Sequence, residues 1–470
     1  MNICRGGSGY FCGPRRRYIC WAVSMKTLLI TSFHAHISRN ILGTDTLSIL
    51  AARNDLSVVI VVPDYKKSYF EERFARPRVV IAGVPHYLAS RAISGLVFKR
   101  LARAMLPTGT VRFKRRYKFY WDRKLLYFVA SYLAGILSRS FLAQRLARYL
   151  DFRLASPGIF FRLLKDCKPD AVFATDLHDE NDVALIQDAR RLGIPVIGMW
   201  RSWDNPTQQL LRMAPDRFLM GSKQLEEETA ALHRYPPASM AAVGHPHYDR
   251  YRRGPGRSRS EFCAQWGLDP EKKIILYAAG GDKIIRLNDL DQYVMEILGM
   301  VDANVIVRYP PGEDVRLVDF RQPSNMVIDR PGLRFAARPG ELEIRPEDDA
   351  NLRDELSWSD VVISGPTSVL LDGMFFDKPV IAVDCYPARR NAYRRSWGYP
   401  LDHIRKLLAT GGVRHARSRD EFMHELGAYL ANPGRDAPGR AAARGRWFSY
   451  ADGNASQRLA AELLKFIGLE

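Results

Sequence analysis

The sequence predicts an α/β protein of two doubly wound domains that face each other across a cleft. Short apolar runs recur with helical patterns between them, which is typical of βαβ units in parallel sheets covered on both faces. The pattern stops at 248–259, where turn-forming and charged residues replace it, and then restarts. A chain of 470 residues is long enough to bury two hydrophobic cores. We therefore expect a ligand-binding cleft beyond the carboxyl ends of the strands.

The apolar runs predict the order of the elements. In the N-terminal half, strands are predicted at 28–32, 58–62, 79–82, 171–175 and 196–200, with shorter ones near Phe218 and Val243. In the C-terminal half, strands are predicted at 274–278, 304–308, 326–328, 361–364 and 380–384, and helices at 289–298, 350–357, 368–376, 420–430 and 456–467. The predicted organisation is a disordered leader at 1–24, Rossmann-like domains at 25–247 and 258–440, and a C-terminal helix at 441–470 that packs back across both domains.

Composition excludes several classes of protein. With 47% hydrophobic and 26% charged residues, the chain is neither fibrous, disulfide-rich nor disordered. Three of the six cysteines lie in the leader, at a spacing that matches no common zinc pattern, and the other three are isolated in segments predicted to be buried. This usage indicates a reducing compartment and no bound metal.

Positive charge is concentrated in one segment of the N-terminal half. The net charge is +19, and thirteen basic residues with one acid, Asp122, lie at 97–150. The apolar run at 125–137 is shorter than the roughly 18 residues that a membrane span needs. Basic and aromatic residues together predict a helical insertion at 97–150 that lies on an anionic membrane surface. The alternative is a solvated basic face beside a core helix. Nucleic acid is not favoured, because no binding motif accompanies the charge.

A strand, turn and helix pattern at 359–384 predicts an anion site. Gly365 and Pro366 bend the chain after a strand, and Thr367 and Ser368 stand where a helix begins. Backbone N–H groups, hydroxyls and the positive end of the helix dipole converge there, which suits a pyrophosphate. Asp372 lies one helical turn beyond Ser368, within reach of a ribose next to the phosphates.

This segment resembles the donor-binding strand, loop and helix of GT-B glycosyltransferases, in particular of the CDP-glycerol glycerophosphotransferase-like group. Segments at 202–207, 243–249 and 451–456 are similar to motifs of the same group. The resemblance implies two Rossmann-like domains facing a cleft, with the acceptor on the N-terminal domain and the donor on the C-terminal one. It implies that Thr367, Ser368 and Asp372 hold the donor's phosphates and ribose. Gly365, His245 and Arg308 complete the expected donor site.

One position departs from the group's pattern. Pro310 stands where similar proteins often carry a histidine that is expected to neutralise phosphate charge on the donor. Transfer of a sugar from a nucleotide sugar is therefore at least as compatible with the sequence as transfer of glycerophosphate.

In an inverting transferase a general base takes the proton of the acceptor hydroxyl, and a histidine suits that task at neutral pH, although simple packing or hydrogen bonding in a loop also explains a histidine there. His36 and His34 follow the first predicted strand and are the candidate catalytic residues, with Asp179 in reserve because its segment also offers helix caps. Trp203, Asp204 and Asn205 could orient a sugar or the acceptor, although a buried Trp with a capping Asp explains them equally well. We predict no metal and no cofactor, since the nucleotide-activated donor is itself a substrate.

These features together predict a transferase that moves a glycosyl or glycerophosphoryl group to a lipid-linked or glycan acceptor, in surface polysaccharide or glycolipid biosynthesis. Its expected place is cytoplasmic, peripheral on the inner face of the cell membrane. A nucleotide-sugar 2-epimerase shares the fold but needs no basic insertion. A non-catalytic protein that binds a glycan or nucleotide is a further alternative, to which Pro310 gives some support.

Overall fold

The computed structural model describes residues 25–85, 93–158, 160–282, 288–335, 341–391, 393–396 and 398–470. The predicted leader lies outside these residues. Two separate parallel sheets confirm the predicted GT-B fold class.

The first sheet has seven parallel strands in the order β3-β2-β1-β4-β5-β6-β7. The strands are β1 (Lys26–Thr31), β2 (Leu56–Pro63), β3 (Val79–Val84), β4 (Ala171–Ala174), β5 (Val196–Met199), β6 (Arg217–Met220) and β7 (Met240–Ala242). Alternate residues of β1 enter different cores: Leu28 and Ile30 pack on one face of the sheet and Leu29 on the other. Burial on both faces explains the continuous apolar runs in the sequence.

Helices connect these strands and cover the sheet. They are α1 (Ala35–Ile37), α2 (Asp45–Ala51), α3 (Lys67–Phe74), α8 (Phe160–Cys167), α9 (Glu180–Arg191), α10 (Asn205–Gln208) and α11 (Lys223–His233). A π-helical turn, Ser38–Leu42, follows α1 directly.

The basic insertion forms four helices between β3 and α8: α4 (Ile93–Ala102), α5 (Gly109–Asp122), α6 (Leu125–Leu137) and α7 (Phe141–Leu154). Among the described residues, no one helix is both long and apolar enough to cross a membrane, and only α6 and α7 together would qualify, with a bend of 118° between them. Helix α5 also reaches the C-terminal half. Thr110 N donates to Asp402 Oδ2 at 2.8 Å, and Asp402 N donates to Thr110 Oγ1 at 2.9 Å.

The second sheet has six parallel strands in the order β10-β9-β8-β13-β14-β15. They are β8 (Ile274–Ala278), β9 (Asn304–Arg308), β10 (Met326–Asp329), β13 (Val361–Ser364), β14 (Val380–Val383) and β15 (Val413–Ala416), and β11 (Leu333–Arg334) pairs separately with β12 (Leu342–Glu343). The helices of this half are α12 (Tyr248–Arg252), α13 (Arg259–Trp266), α14 (Leu290–Leu298), α15 (Pro346–Trp358), α16 (Val369–Phe375), α17 (Asp402–Leu408), α18 (Arg419–Ala431), α19 (Ala437–Trp447) and α20 (Ala455–Phe466).

The predicted strands of both halves are confirmed, with three additions: β15 and the pair β11–β12. The segment at 248–259 is more ordered than predicted, because α12 places Tyr248 and Tyr251 in the core of the C-terminal half. The last helix, α20, returns to the first sheet, where Leu459 and Leu463 join its core. The exact domain limits stay a prediction.

A fully buried ion pair joins the two halves. Lys66 Nζ lies 2.7 Å from Glu343 Oε1, and neither side chain is exposed to solvent. Lys66 also donates to the Leu342 carbonyl oxygen at 3.0 Å, and Ser38 Oγ donates to the other oxygen of Glu343. The residue after β11, Phe335, packs edge-on against Tyr65 at a ring distance of 5.6 Å. The small β11–β12 pair is therefore fastened to the N-terminal half.

Candidate active site

A cavity of about 1110 Å³ is lined by residues of both halves. Its walls are loops that follow the carboxyl ends of strands in the two sheets, as expected for doubly wound domains. The lining includes His34 and His36 after β1, Asp176 and Asp179 after β4, Arg201 to Asn205 after β5, Ala279 and Gly280 after β8, Pro310 and Pro311 after β9, and Pro366 to Val369 after β13.

The predicted anion site forms the wall on the C-terminal half. Thr367 Oγ1 accepts a hydrogen bond from Val369 N at 3.2 Å and lies 2.8 Å from Ser364 Oγ, so Thr367 caps the first turn of α16. Ser368 makes no capping hydrogen bond with its side chain and is exposed. Both residues line the cavity, whereas Gly365 does not. Ser368 is thus the hydroxyl that remains open to a ligand.

Asp372 also lines the cavity but is not a free carboxylate. Tyr248 Oη donates to its Oδ1 at 2.7 Å. Burial raises the pKa of Asp372 to about 6, against the opposing effects of Arg39 and the Tyr248 hydrogen bond. A buried carboxylate with one hydrogen bond keeps lone pairs for further donors, such as ribose hydroxyls.

Two predicted donor ligands are engaged elsewhere. Arg308 lines the cavity, yet its guanidinium donates to Asp329, to Glu355 at 3.0 Å and to the Asp348 carbonyl oxygen at 2.8 Å. Its charge is therefore already balanced by carboxylates. His245 does not line the cavity. Its ring packs against Gly221 so closely that a side chain at position 221 would place its Cβ atom 2.2 Å from the ring. Burial lowers the pKa of His245 to about 4.

The two histidines after β1 open into the cavity. Their rings stack at a centroid distance of 4.9 Å, and His34 Nδ1 accepts a hydrogen bond from His36 N at 3.2 Å. Burial, with help from Arg201 and Lys66, lowers the pKa of His34 to about 3. The pKa of His36 is likewise well below its usual value, because of burial and then His34, Arg39 and Arg201. These lowered pKa values keep both imidazoles neutral at physiological pH.

The reserve base, Asp179, caps a helix. Its Oδ1 accepts from Asn181 N at 2.8 Å, as the alternative interpretation of this segment predicted. Burial and the neighbouring Asp176 raise the pKa of Asp179 to about 6. Asp176 itself accepts a hydrogen bond from Arg201. The carboxylates of this loop thus serve to cap α9 and to hold Arg201 at the cavity wall.

The three predicted sugar-binding residues, Trp203, Asp204 and Asn205, all line the cavity. Trp203 is 8% exposed and packs edge-on against His403 at 4.8 Å. Asp204 accepts from Gln208 Nε2 at 2.8 Å. Asn205 Oδ1 accepts from Ser202 N at 2.7 Å, which fixes the turn after β5. Their roles toward a ligand remain predictions.

Several cavity residues were not predicted as site residues. The insertion contributes five cations to the lining: Lys99, Arg103, Lys114, Arg115 and Lys118. Arg39, from the π-helical turn, and Asp349, from α15, also line the cavity. The basic composition of the insertion was a signal for the first group. No local pattern marks Arg39 or Asp349, because their importance arises only from the way the halves face each other.

Within the described part of the chain, no group of three or more His, Cys, Asp or Glu side chains is placed to hold a metal ion.

Two facing doubly wound sheets with a ligand-sized cavity between their strand ends define a GT-B protein. The same fold occurs in several solved structures. A putative UDP-N-acetylglucosamine 2-epimerase from Listeria monocytogenes has a TM-score of 0.53 and 12% identity, over 95% of this chain and 98% of that chain. The UDP-GlcNAc 2-epimerase from Neisseria meningitidis bound to UDP-GlcNAc gives 0.52 and 12%, over 94% and 100%. The glycotransferase of kitacinnamycin gives 0.50 and 12%, over 94% and 98%.

Part of the C-terminal half is similar in sequence to one family of transferases. Residues 338–465 match the family described as CDP-Glycerol:Poly(glycerophosphate) glycerophosphotransferase. No curated protein matches the chain by sequence. The chain is therefore a GT-B transferase whose residues 338–465 are similar to the CDP-glycerol glycerophosphotransferases.

The raised pKa of Asp372 predicts a pH-dependent stability. Its pKa is about 6 in the folded chain, against an ordinary value of 3.8 in the unfolded chain. Ionisation of Asp372 in the folded chain therefore lowers the free energy of unfolding. This loss of stability is largest above pH 6 and vanishes below pH 3.8. Asp372→Asn cannot ionise, so it should stabilise the protein by about 3 kcal/mol at pH 8 and by about half of that at pH 5. Thermal unfolding of both proteins across this range measures the difference.

Asp377→Asn is the matched control. Although partial burial raises the pKa of Asp377, hydrogen bonds from Arg440 and Arg444 lower it overall. This substitution should therefore lower the unfolding temperature at pH 8. A stability gain of Asp372→Asn that is the same at pH 8 and pH 5 would contradict the raised pKa.

Proposed function

We propose that this protein transfers a glycosyl or glycerophosphoryl group from a nucleotide-activated donor to a hydroxyl group of a membrane-associated acceptor. The reaction belongs to surface polysaccharide or glycolipid biosynthesis and takes place on the cytoplasmic side of the cell membrane. One observation carries the proposal: the Thr367–Ser368 turn, the loop histidines and the cations of the insertion all open into one cavity.

The donor lies on the C-terminal half. Its phosphates contact the Thr367 and Ser368 turn, and its ribose hydroxyls donate to Asp372. The family match supports this placement, because residues 338–465 include the whole segment. The donor is a substrate, and the proposed reaction uses no cofactor.

The acceptor hydroxyl approaches from the N-terminal half. Its oxygen forms a bond to the sugar carbon, or to the phosphorus of the glycerophosphoryl group. The bond from that atom to the leaving phosphate oxygen breaks at the same time. A nucleoside diphosphate leaves in glycosyl transfer, and a nucleoside monophosphate leaves in glycerophosphoryl transfer. His36, or else His34, takes the hydroxyl proton. Because Arg39 and Arg201 help to lower the pKa of His36, an anionic donor near them would raise it toward the useful range.

The products separate the possible functions. Pro310 lines the cavity without offering a charge, so the family match does not fix the transferred group. Purified protein is incubated with CDP-glycerol or with UDP-, GDP- and dTDP-sugars, with and without membrane lipids, and the released nucleotides are identified. A transferase releases nucleotide faster when acceptor is present. An epimerase converts the sugar without any acceptor, and a binding protein leaves the donor intact.

Removing the general base should lower turnover without weakening donor binding. His36→Ala is expected to reduce kcat by about 10²- to 10⁴-fold, since proton transfer is lost but donor contacts are not. His34→Ala is the paired variant, and Asp179→Asn tests the reserve base. Steady-state kinetics and calorimetric titration of the donor give the two quantities. Unchanged kcat in both histidine variants would move the role of base to Asp179.

The insertion presents a surface suited to a membrane. Helices α6 and α7 expose large apolar side chains: Leu125, Leu126, Val129, Tyr132, Leu133, Ile136, Leu137, Phe141, Leu142, Leu146, Tyr149 and Leu154. Soluble proteins rarely expose so many large apolar side chains on two consecutive helices without a partner. Exposed bases stand at the corners of these helices, namely Arg123 and Lys124 before α6 and Arg139 after it. Apolar helices bordered by cations support docking to anionic lipid over the alternative of a solvated basic face.

Membrane docking predicts salt-sensitive binding to vesicles. The protein should sediment with vesicles that contain phosphatidylglycerol, and less so as salt rises, because charge attraction is screened. Replacing Arg116, Arg123, Lys124 and Arg139 with Gln should weaken binding by about 100-fold or more, at ~1 kcal/mol for each base. Donor turnover in solution should not change.

A control variant carries the same change of charge elsewhere. Arg78, Lys272, Lys273 and Arg419 are exposed basic residues outside the insertion, and their replacement with Gln should leave vesicle binding intact. A wild-type protein that never sediments with anionic vesicles would mean that the basic face is solvated and that the acceptor is soluble.

A further inference from the structure

Arg39 reaches the cavity from the N-terminal half. It lies in the π-helical turn Ser38–Leu42, immediately after Ser38, whose hydroxyl is bonded to Glu343 of the other half. That bond fixes the turn against the C-terminal half. The Arg39 side chain is 13% exposed and lines the cavity.

The guanidinium of Arg39 lies near two carboxylates of the C-terminal half, those of Asp349 and Asp372, but forms no close ion pair with either. Its Nε lies 3.6 Å from Asp349 Oδ1, which is beyond a hydrogen bond. The same Nε donates to Asn40 Oδ1 at 2.9 Å. Asp372 is also close enough for Arg39 to influence its ionisation. An arginine in this arrangement keeps its planar fork available for a bidentate anion.

Asp349 has an unmet requirement of its own. Its Oδ1 is buried and has no hydrogen-bond partner, although its side chain is only 4% exposed. Its other oxygen lies 3.7 Å from Arg250 Nη1. Buried polar atoms are normally hydrogen-bonded, so an exception in a residue that lines a cavity is a position that a ligand group or a water molecule can satisfy. Arg250 would remain beside Asp349 if Arg39 turned to a ligand, so the carboxylate would not be left without a cation.

Among the described residues of the C-terminal half that line the cavity, no other cation is placed to neutralise the phosphates of the donor. Arg308 is held by Asp329 and Glu355, and Pro310 carries no charge. A diphosphate beside Asp372 and Asp349 would meet two negative groups, and the burial of such like charges is costly unless a cation intervenes. Arg39 lies beside Asp349 and lines the same cavity as both carboxylates.

We propose that Arg39 binds the diphosphate of the donor and so supplies, from the N-terminal half, the phosphate-neutralising charge that Pro310 does not provide. The inference rests on the proposed function, because it assumes a nucleotide donor in this cavity. The donor then contacts both halves: its phosphates bind Arg39 as well as the Thr367–Ser368 turn. Asp349 holds Arg39 loosely before the donor binds.

The test is calorimetric titration of CDP and UDP into wild type, Arg39→Gln, Arg39→Lys and the control Arg250→Gln. Arg39→Gln should raise the Kd of the diphosphate that wild type binds by about 10- to 100-fold, as for a lost charge-assisted hydrogen-bond pair. Arg39→Lys should lie between the two, because a lysine keeps the charge but not the fork. Arg250→Gln also removes a cation from Asp349, but Arg250 does not line the cavity, so the Kd of this variant should stay within about threefold of wild type.

Two further measurements separate binding from a structural role. Binding of the nucleosides cytidine and uridine, measured by saturation-transfer NMR, should be equal in wild type and Arg39→Gln, because the nucleosides carry no phosphate. Asp349→Asn removes the carboxylate that competes for Arg39 and should bind the diphosphate at least as tightly as wild type. This variant keeps the inference testable even if Arg39→Gln does not fold.

The outcomes distinguish the role of Arg39 from the proposed function. Equal diphosphate affinity in wild type and Arg39→Gln would overturn the role of Arg39 and leave the proposed function standing. The role of Arg39 is likewise overturned if Arg250→Gln or Asp349→Asn loses as much affinity as Arg39→Gln, since the cluster would then be structural. If wild type binds neither CDP nor UDP, while GDP and dTDP also fail, the proposed function falls together with this inference.

Discussion

The buried contact between Lys66 and Glu343 fixes how the two halves of this enzyme face each other. Moving an ion from water into a protein interior costs several kcal/mol, which only a close partner offsets. Both partners are fully buried and come from different halves. Separation of the halves in this region would therefore leave a charge unpaired unless water followed it. The same carboxylate binds Ser38, so the constraint extends directly to the loop that carries the cavity residues of the N-terminal half.

The geometry of the proposed site depends on this constraint. His36 and Arg39 lie on either side of Ser38 in sequence, and both line the cavity opposite the Thr367 and Ser368 turn. A shift of the β11–β12 pair would move them relative to the donor wall. Helix α5 adds a second connection through the reciprocal hydrogen bonds of Thr110 and Asp402. Because α5 also belongs to the insertion that is proposed to meet the membrane, the proposed docking surface and this contact between the halves share one helix.

Most strands of the fold could be predicted from the sequence, because parallel strands buried on both faces give continuous apolar runs. It did not predict β15, Val413–Ala416, whose two central residues are half-buried polar side chains at the edge of the sheet. The Arg, Ala and Gly tract at 435–446 resembles a low-complexity segment, whereas most of it forms α19. Buried Arg440 anchors this helix by donating to Asp377 and to two carbonyl oxygens. Asp377 lies 63 residues from Arg440, and a partner this distant in sequence leaves no local pattern.

The same distinction holds for the candidate site. Residues at the carboxyl ends of strands could be named from the sequence, and the structure places Ser368, Asp372 and His36 on one cavity. Tyr248, which bonds Asp372, stood in a predicted linker, and Arg39 carried no motif. Conversely, the sequence predicts Arg308 as a donor ligand, whereas in the structure Arg308 pairs with Asp329 and Glu355. Whether a charged side chain can bind a ligand depends on the residues that surround it in the folded protein, so the sequence alone does not reveal it.

The proposed site places a nucleotide-activated donor on the C-terminal wall of this cleft, opposite the loop after β1. Hydrogen–deuterium exchange of the whole protein, with and without CDP-glycerol or the nucleotide sugar that it turns over, tests this placement most directly. We predict slower exchange of backbone amides at 365–376 and at 34–42, with little change at the amino ends of the strands of either sheet. Protection confined to the N-terminal half, or no protection at 365–376 under saturating donor, would contradict it.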